Sequence, residues 1–130
     1  MIDGISLFTT MGQKIDYLGV RHTLLAQNVA NADTPNYRSH DLKPFSEALR
    51  TVKPAGMLAT HGRHMVAELG NTTFREDNRV EGWEVEPSGN DVSLEEQMIK
   101  ATDGARDYEL TAQLMKKHVA MLKAVLSTRS

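Results

Sequence analysis

The chain has 130 residues, with 15 basic and 17 acidic side chains. That length suits one domain, and the near balance of charge excludes the electrostatic footprint of a nucleic-acid binder or a polybasic membrane patch. Cysteine is absent, which removes disulfides, thiol catalysis and Cys-ligated metals, and no apolar run approaches the ~20 residues that cross a bilayer, so an integral membrane protein is not expected.

The opening residues Met1-Ile2-Asp3-Gly4-Ile5-Ser6 lack the basic start and unbroken apolar run of a secretory signal. If the protein leaves the cytoplasm, it is expected to do so without a cleaved signal peptide. Phe8, Met11, Ile15, Leu18, His22, Leu25 and Val29 then recur in alternating steps of three and four, which predicts a helix with one apolar seam for partner helices. Gly12, Gly19 and Ala26 recur every seven residues beside that seam. Small residues there either admit a closely packed neighbour or are merely tolerated in a long helix. His22 takes a core position of the seam, where an imidazole is more often packed than a ligand.

The helix runs into Asn28-Val29-Ala30-Asn31-Ala32-Asp33-Thr34-Pro35-Asn36-Tyr37. Asn28 and Asn31, three apart, share a face and can bond neighbouring backbone. Pro35 cannot continue a helix and pushes Thr34 toward extended backbone, while Asn36 tolerates the positive φ of a tight turn.

In the middle, residues 41–51 predict a short helix with Phe45, Ala48 and Leu49 on one side, broken by Lys53-Pro54-Ala55-Gly56. Met65 to Leu69 and Thr72 to Arg75, around Gly70-Asn71, predict a β-hairpin, with a third extended piece at Gly82 to Glu86. Pro87-Ser88-Gly89-Asn90 reads as a linker. His61 and His64 have the spacing of ligands on one helical face, but Gly62 intervenes and no adjacent carboxylate or cysteine completes a set. Glu95/Glu96 and Asp107/Glu109 read as a solvated helix face, and no phosphate loop, nucleophile motif or zinc helix occurs. The expectation is a protein that is no enzyme and has no metal, no cofactor, no small-molecule substrate and no nucleic-acid partner.

The last element, Asp91 to Ser130, carries the strongest pattern. Leu94, Met98, Ala101, Ala105, Tyr108, Ala112, Met115, Val119, Leu122 and Leu126 alternate steps of four and three without a slip. Ser93 and Glu96 form a capping box, and acids early with bases late match the helix dipole. At 1.5 Å per residue such a helix reaches roughly 50–55 Å, so it needs partners along its length. The fold expected is mainly α: long N- and C-terminal helices in an antiparallel coiled-coil-like pair, with a small loop and β-hairpin middle region. The divisions fall at residues 1–37, 38–90 and 91–130. Two such helices suit a subunit of a helical assembly, since contacts that do not close on themselves generate filaments.

Leu25 to Tyr37 resembles the N-terminal signature of the bacterial flagellar rod and hook proteins, with Asn36 where that family usually has glycine before the tyrosine. Gly89-Asn90-Asp91-Val92-Ser93-Leu94-Glu95-Glu96-Gln97-Met98 resembles the second signature, which introduces the C-terminal helix. Motif-level likeness covers residues 5–37 and 89–128, and the short length points to the proximal part of the flagellar basal-body rod. The resemblance implies a structural rod subunit in the periplasm, exported by the flagellar type III system, whose terminal helices build the tubular drive shaft and transmit torque. Its implied partners are copies of itself, other rod proteins, the MS-ring base and the export gate, which Ile5, Leu7 and Phe8 would meet. The residues expected at the assembly interface are Leu18, Leu25, Asn28, Val29, Asn31, Thr34, Tyr37, Leu94, Met98, Tyr108, Met115, Val119 and Leu122. A sister rod protein and a cytoplasmic helical adaptor or secretion chaperone remain as alternatives.

Overall fold

The structure, a computed structural model, describes residues 2–51, 74–77, 82 and 85–128. Three helices follow in order: α1 Ile2–Ala30, α2 Phe45–Thr51 and α3 Leu94–Ser127. The two long helices pack side by side in opposite directions, because Asn28 of α1 meets Gln97 at 2.9 Å while Lys14 meets Asp107 at 3.2 Å. With 34 residues, α3 is about 51 Å long.

Local chemistry sets the ends of these helices. Beyond Ala30 the chain turns through 31–36, where the Thr34 amide donates to the Asn31 carbonyl and Asn36 takes a φ of 59°. Ser93 caps α3, its Oγ accepting from the Glu96 amide at 3.4 Å. The Glu96 carboxylate, the other half of the expected box, pairs with Lys100 at 2.7 Å. α2 begins at Phe45, because residues 41–43 are extended and Pro44 supplies the carbonyl that accepts from the amides of Glu47 and Ala48.

The return segment after the turn covers one side of the helix pair. Tyr17 stands at the centre of a small core with Leu18 and Leu42, and Leu24, Phe45 and Phe74 pack around it. Its ring lies 5.4 Å from those of both Phe45 and Phe74, and its hydroxyl donates to the Lys43 carbonyl at 3.0 Å. The Lys43 amide donates to Arg75 and the Asp77 amide to Asp41, closing an antiparallel bridge between Leu42 and Glu76.

The expected hairpin is not supported. Residues 65–73 lie outside the described residues, and among those described there is no strand. Residues 75 and 77 pair with 41–43, and residues 86–90 form a tight turn in which the Glu86 amide donates to the Asn90 carbonyl.

The seams are turned relative to expectation. On α1 Met11, Leu18 and Leu25 are buried as predicted, but Tyr17 and Asn28 share that burial, while His22 and Val29 are exposed. On α3 the buried positions are Glu96, Gln97 and Thr111, whereas Leu94, Met98, Tyr108 and Leu122 lie open. A heptad pattern identifies an apolar strip but not what covers it. Within this chain the return segment lies on the other side of the pair.

Candidate assembly surface and the junction of the two signatures

Asn28 is 1% exposed and uses its whole hydrogen-bonding capacity. Its amide nitrogen donates to the His40 carbonyl at 2.7 Å and to Gln97 Oε1 at 2.9 Å. Its oxygen accepts from the His40 amide at 3.0 Å and from the Tyr37 hydroxyl at 3.4 Å. Two donors and two lone pairs are all an Asn side chain has, so this one joins helix, return segment and second helix at a single point.

Asn90 does the same for the end of α1. Its amide nitrogen donates to the carbonyls of Asn31 and Thr34 at 2.9 and 2.7 Å, satisfying backbone groups freed where the helix stops, and its oxygen accepts from the Val92 amide. Asn31 donates to the Gln27 carbonyl and accepts from the Thr34 hydroxyl, while Asp91 accepts from the Ser39 amide. The Asn36 amide reaches the Ser88 carbonyl at 3.1 Å. Gly89, at φ +81°, passes so close that a Cβ there would lie 2.5 Å from Asn36 Oδ1. The two signature stretches therefore fold around each other.

Beside this junction sits a cluster of charge. Arg21 grips Asp41 through two hydrogen bonds of 2.8 and 2.9 Å, and Lys100 lies 3.5 Å from Asp41 and 2.7 Å from Glu96. Burial alone would raise the Asp41 pKa, but the Arg21 bonds and charge, the Leu42 amide and Lys100 outweigh it and hold the carboxyl below its ordinary value. The same hydrogen bond to Asp41 pushes the Arg21 pKa up.

The helix pair also carries a groove of about 290 Å³ between α1 and α3. Leu18, Gly19, Arg21, His22 and Leu25 line it from α1, and Ala101, Gly104, Ala105 and Tyr108 from α3. Most of these belong to the two heptad seams or to the small-residue line beside them. The seams thus border one shared surface.

Of the residues expected at an interface, Asn28, Asn31, Thr34 and Tyr37 gather at the junction and Leu18, Leu25 and Tyr108 line the groove. Val29, Leu94, Met98 and Leu122 are exposed, and Met115 and Val119 are half-buried. Ile5, Leu7 and Phe8 lie at the start of α1, with Leu7 and Phe8 exposed. His61 and His64 lie outside the described residues, and among those described no group of three or more potential metal ligands occurs. No described helix is long and apolar enough to cross a membrane. Sequence reasoning missed Tyr17, Arg21, Asp41 and the structural weight of Asn90, Asp91 and Gln97. The last three stand inside the second signature, which was the available signal.

No family model matches the chain. It is similar to the flagellar basal body rod protein FlgB of Agrobacterium fabrum, with 35% identity over 129 residues and 93% of each chain covered. The chain belongs to the FlgB family of flagellar basal-body rod proteins. Likeness to FlgB of Aquifex aeolicus is 28% over 131 residues, covering 98% of this chain and 95% of the relative. For FlgB of Buchnera aphidicola it is 23% over 124 residues, covering 92% and 93%. As an FlgB-family protein the chain is a structural subunit of the proximal rod of the flagellar basal body and associates with other rod proteins. That reading is favoured over the cytoplasmic adaptor and the sister rod protein.

Proposed function

We propose that this subunit builds the rod through its two long helices, chiefly the open strip of α3, and that torque passes along those helix–helix contacts. The observation that carries the reading is the state of the α3 seam. Leu94, Met98, Tyr108, Leu122 and Leu126 are 48–69% exposed on a helix whose other side already serves the chain's own fold. Burying one such side chain contributes roughly 1.5–3 kcal/mol, a gain available only when a neighbour arrives. The same reading makes the subunit a periplasmic link between the MS-ring base and the next layer, delivered by the flagellar type III system. Ile5, Leu7 and Phe8 form the segment that meets the export gate.

Mass spectrometry of purified hook–basal bodies tests the assignment directly, with this chain expected at a few copies per particle; a chain found soluble in the cytoplasm instead would remove it. The strip itself is tested by Leu122→Asp and Met115→Asp. A charge without a partner in a buried helix interface costs several kcal/mol, on the order of 3–5. Both variants are expected to be exported yet to leave cells non-motile, and normal swimming by both would refute the strip as the assembly surface.

A further inference from the structure

Among the described residues, three buried side-chain atoms have no hydrogen-bond partner: Ser39 Oγ, Asp91 Oδ2 and Gln97 Nε2. Their residues are 5%, 1% and 1% exposed, and the three atoms themselves are shut off from the surface. Neither bulk solvent nor a neighbouring copy can serve them there. Leaving a buried polar group unpaired is costly, and folded proteins rarely do so.

The three atoms belong to one set of touching residues. The Ser39 amide donates to Asp91 Oδ1, so the Ser39 hydroxyl and the second Asp91 oxygen stand on either side of that same contact. Gln97 is tied to it through Asn28, which gives one N–H to Gln97 Oε1 at 2.9 Å. The other goes at 2.7 Å to the carbonyl of His40, the neighbour of Ser39. These bonds also fix which way the Gln97 amide points. The His40 amide is a backbone donor and takes Asn28 Oδ1 at 3.0 Å, so the Asn28 nitrogen must face Gln97. Gln97 answers with its oxygen, and its nitrogen is left with hydrogens to place.

Polarity selects what can satisfy all three. Gln97 Nε2 only donates, a carboxylate oxygen only accepts, and the Ser39 hydroxyl does either. A cation would face the amide hydrogens, and an anion would face Asp91. The partner must donate and accept at once, and a site closed to the surface admits only a small one.

We propose that one structural water is held between Ser39 Oγ, Asp91 Oδ2 and Gln97 Nε2. It accepts from Gln97 Nε2 and donates to Asp91 Oδ2 and Ser39 Oγ, about three bonds, as buried waters usually make. The water joins the return segment at Ser39 to the approach to α3 at Asp91 and to its first turn at Gln97. It thus extends the polar closure that Asn28 begins.

The test is a crystal structure of the purified full chain at a resolution that shows ordered water, with Ser39→Ala solved beside it. One round density peak is expected within hydrogen-bond distance of all three atoms, about 2.5–3.2 Å, and it is expected to persist in Ser39→Ala on Asp91 and Gln97. A peak that misses any of the three, or direct bonds from Ser39 Oγ or Gln97 Nε2 to Asp91 Oδ2 with no peak between them, overturns the proposal. In solution, the Gln97 side-chain amide is expected to show cross-peaks to water of opposite sign in laboratory-frame and rotating-frame spectra, the mark of a long-lived water. Ser39→Ala removes the hydroxyl proton that could relay the same signal, and loss of the cross-peak in that variant overturns the water.

Discussion

At the junction, Asn28, Asn90, Asp91 and Gln97 are at most 2% exposed; Asn28 binds the His40 backbone and the Gln97 side chain, and Asn90 binds backbone at Asn31, Thr34 and Val92. At the far end of α3, Met121, Leu122, Val125 and Leu126 stand about half exposed or more. The usual arrangement is inverted: polar side chains close the fold from within, and apolar ones are left outside. A subunit meant to be buried on many sides can leave its apolar area to its neighbours, but it must still decide its own shape, and directional bonds do that better than non-directional apolar contact.

The sharpest way to break this contrast is Asn28→Leu. It leaves the His40 amide and Gln97 without their partner, and a loss of about 2–4 kcal/mol is expected in equilibrium urea unfolding of the purified chain. A loss below about 0.5 kcal/mol, the scale of an ordinary surface change, would show that the junction does not hold the fold.

Asp41→Asn comes next, at about 1–3 kcal/mol, because Arg21 keeps its charge in a half-buried place without its carboxylate. The wild-type chain carries a matching pH signature. Since the folded-state pKa of Asp41 is depressed, its contribution is fully present above the unfolded value near ~4 and is lost as pH falls through the lower folded value. Melting temperature should therefore drop below about pH 4 in the wild type and drop less in Asp41→Asn; parallel curves would sink the assignment.

A smaller effect is expected from Gly89→Ala, about 1–2 kcal/mol, from the positive φ and the contact with Asn36. The smallest on stability is Met98→Gln. At 69% exposure it should unfold within about 0.5 kcal/mol of the wild type while reducing swimming in soft agar. Equal swimming would blunt the distinction between the two regions.

Both long helices are legible from heptad spacing, and so are the cap at Ser93 and the positive φ at Asn36, since each depends on neighbours in sequence. What sequence spacing cannot disclose is which side of a helix the rest of the chain will occupy. Tyr17 does not fall on the α1 seam, yet it is the core residue, because Phe45 and Phe74 arrive from the return segment. Glu96 reads as a solvated surface position, yet it is buried and paired with Lys100, and Gln97 beside it is buried against Asn28, 69 residues away. The expected β-hairpin around Gly70-Asn71 falls on residues outside those described and is not supported, while residues 75 and 77 bond to residues 43 and 41, a pairing that local turn chemistry does not disclose.

Heptad repeats have a weakness that the Asn28–Gln97 bond corrects. An apolar strip that repeats every seven residues matches itself again after a slide of about 10 Å, so oily contact alone would accept several alignments of the two helices. Only one alignment brings Asn28 opposite Gln97 while its other atoms reach His40 and Tyr37. The asparagine works as the notch on a key. It admits a single relative position of the two rods of backbone, and every copy of the subunit then presents its outer strip at the same height to the copy beside it.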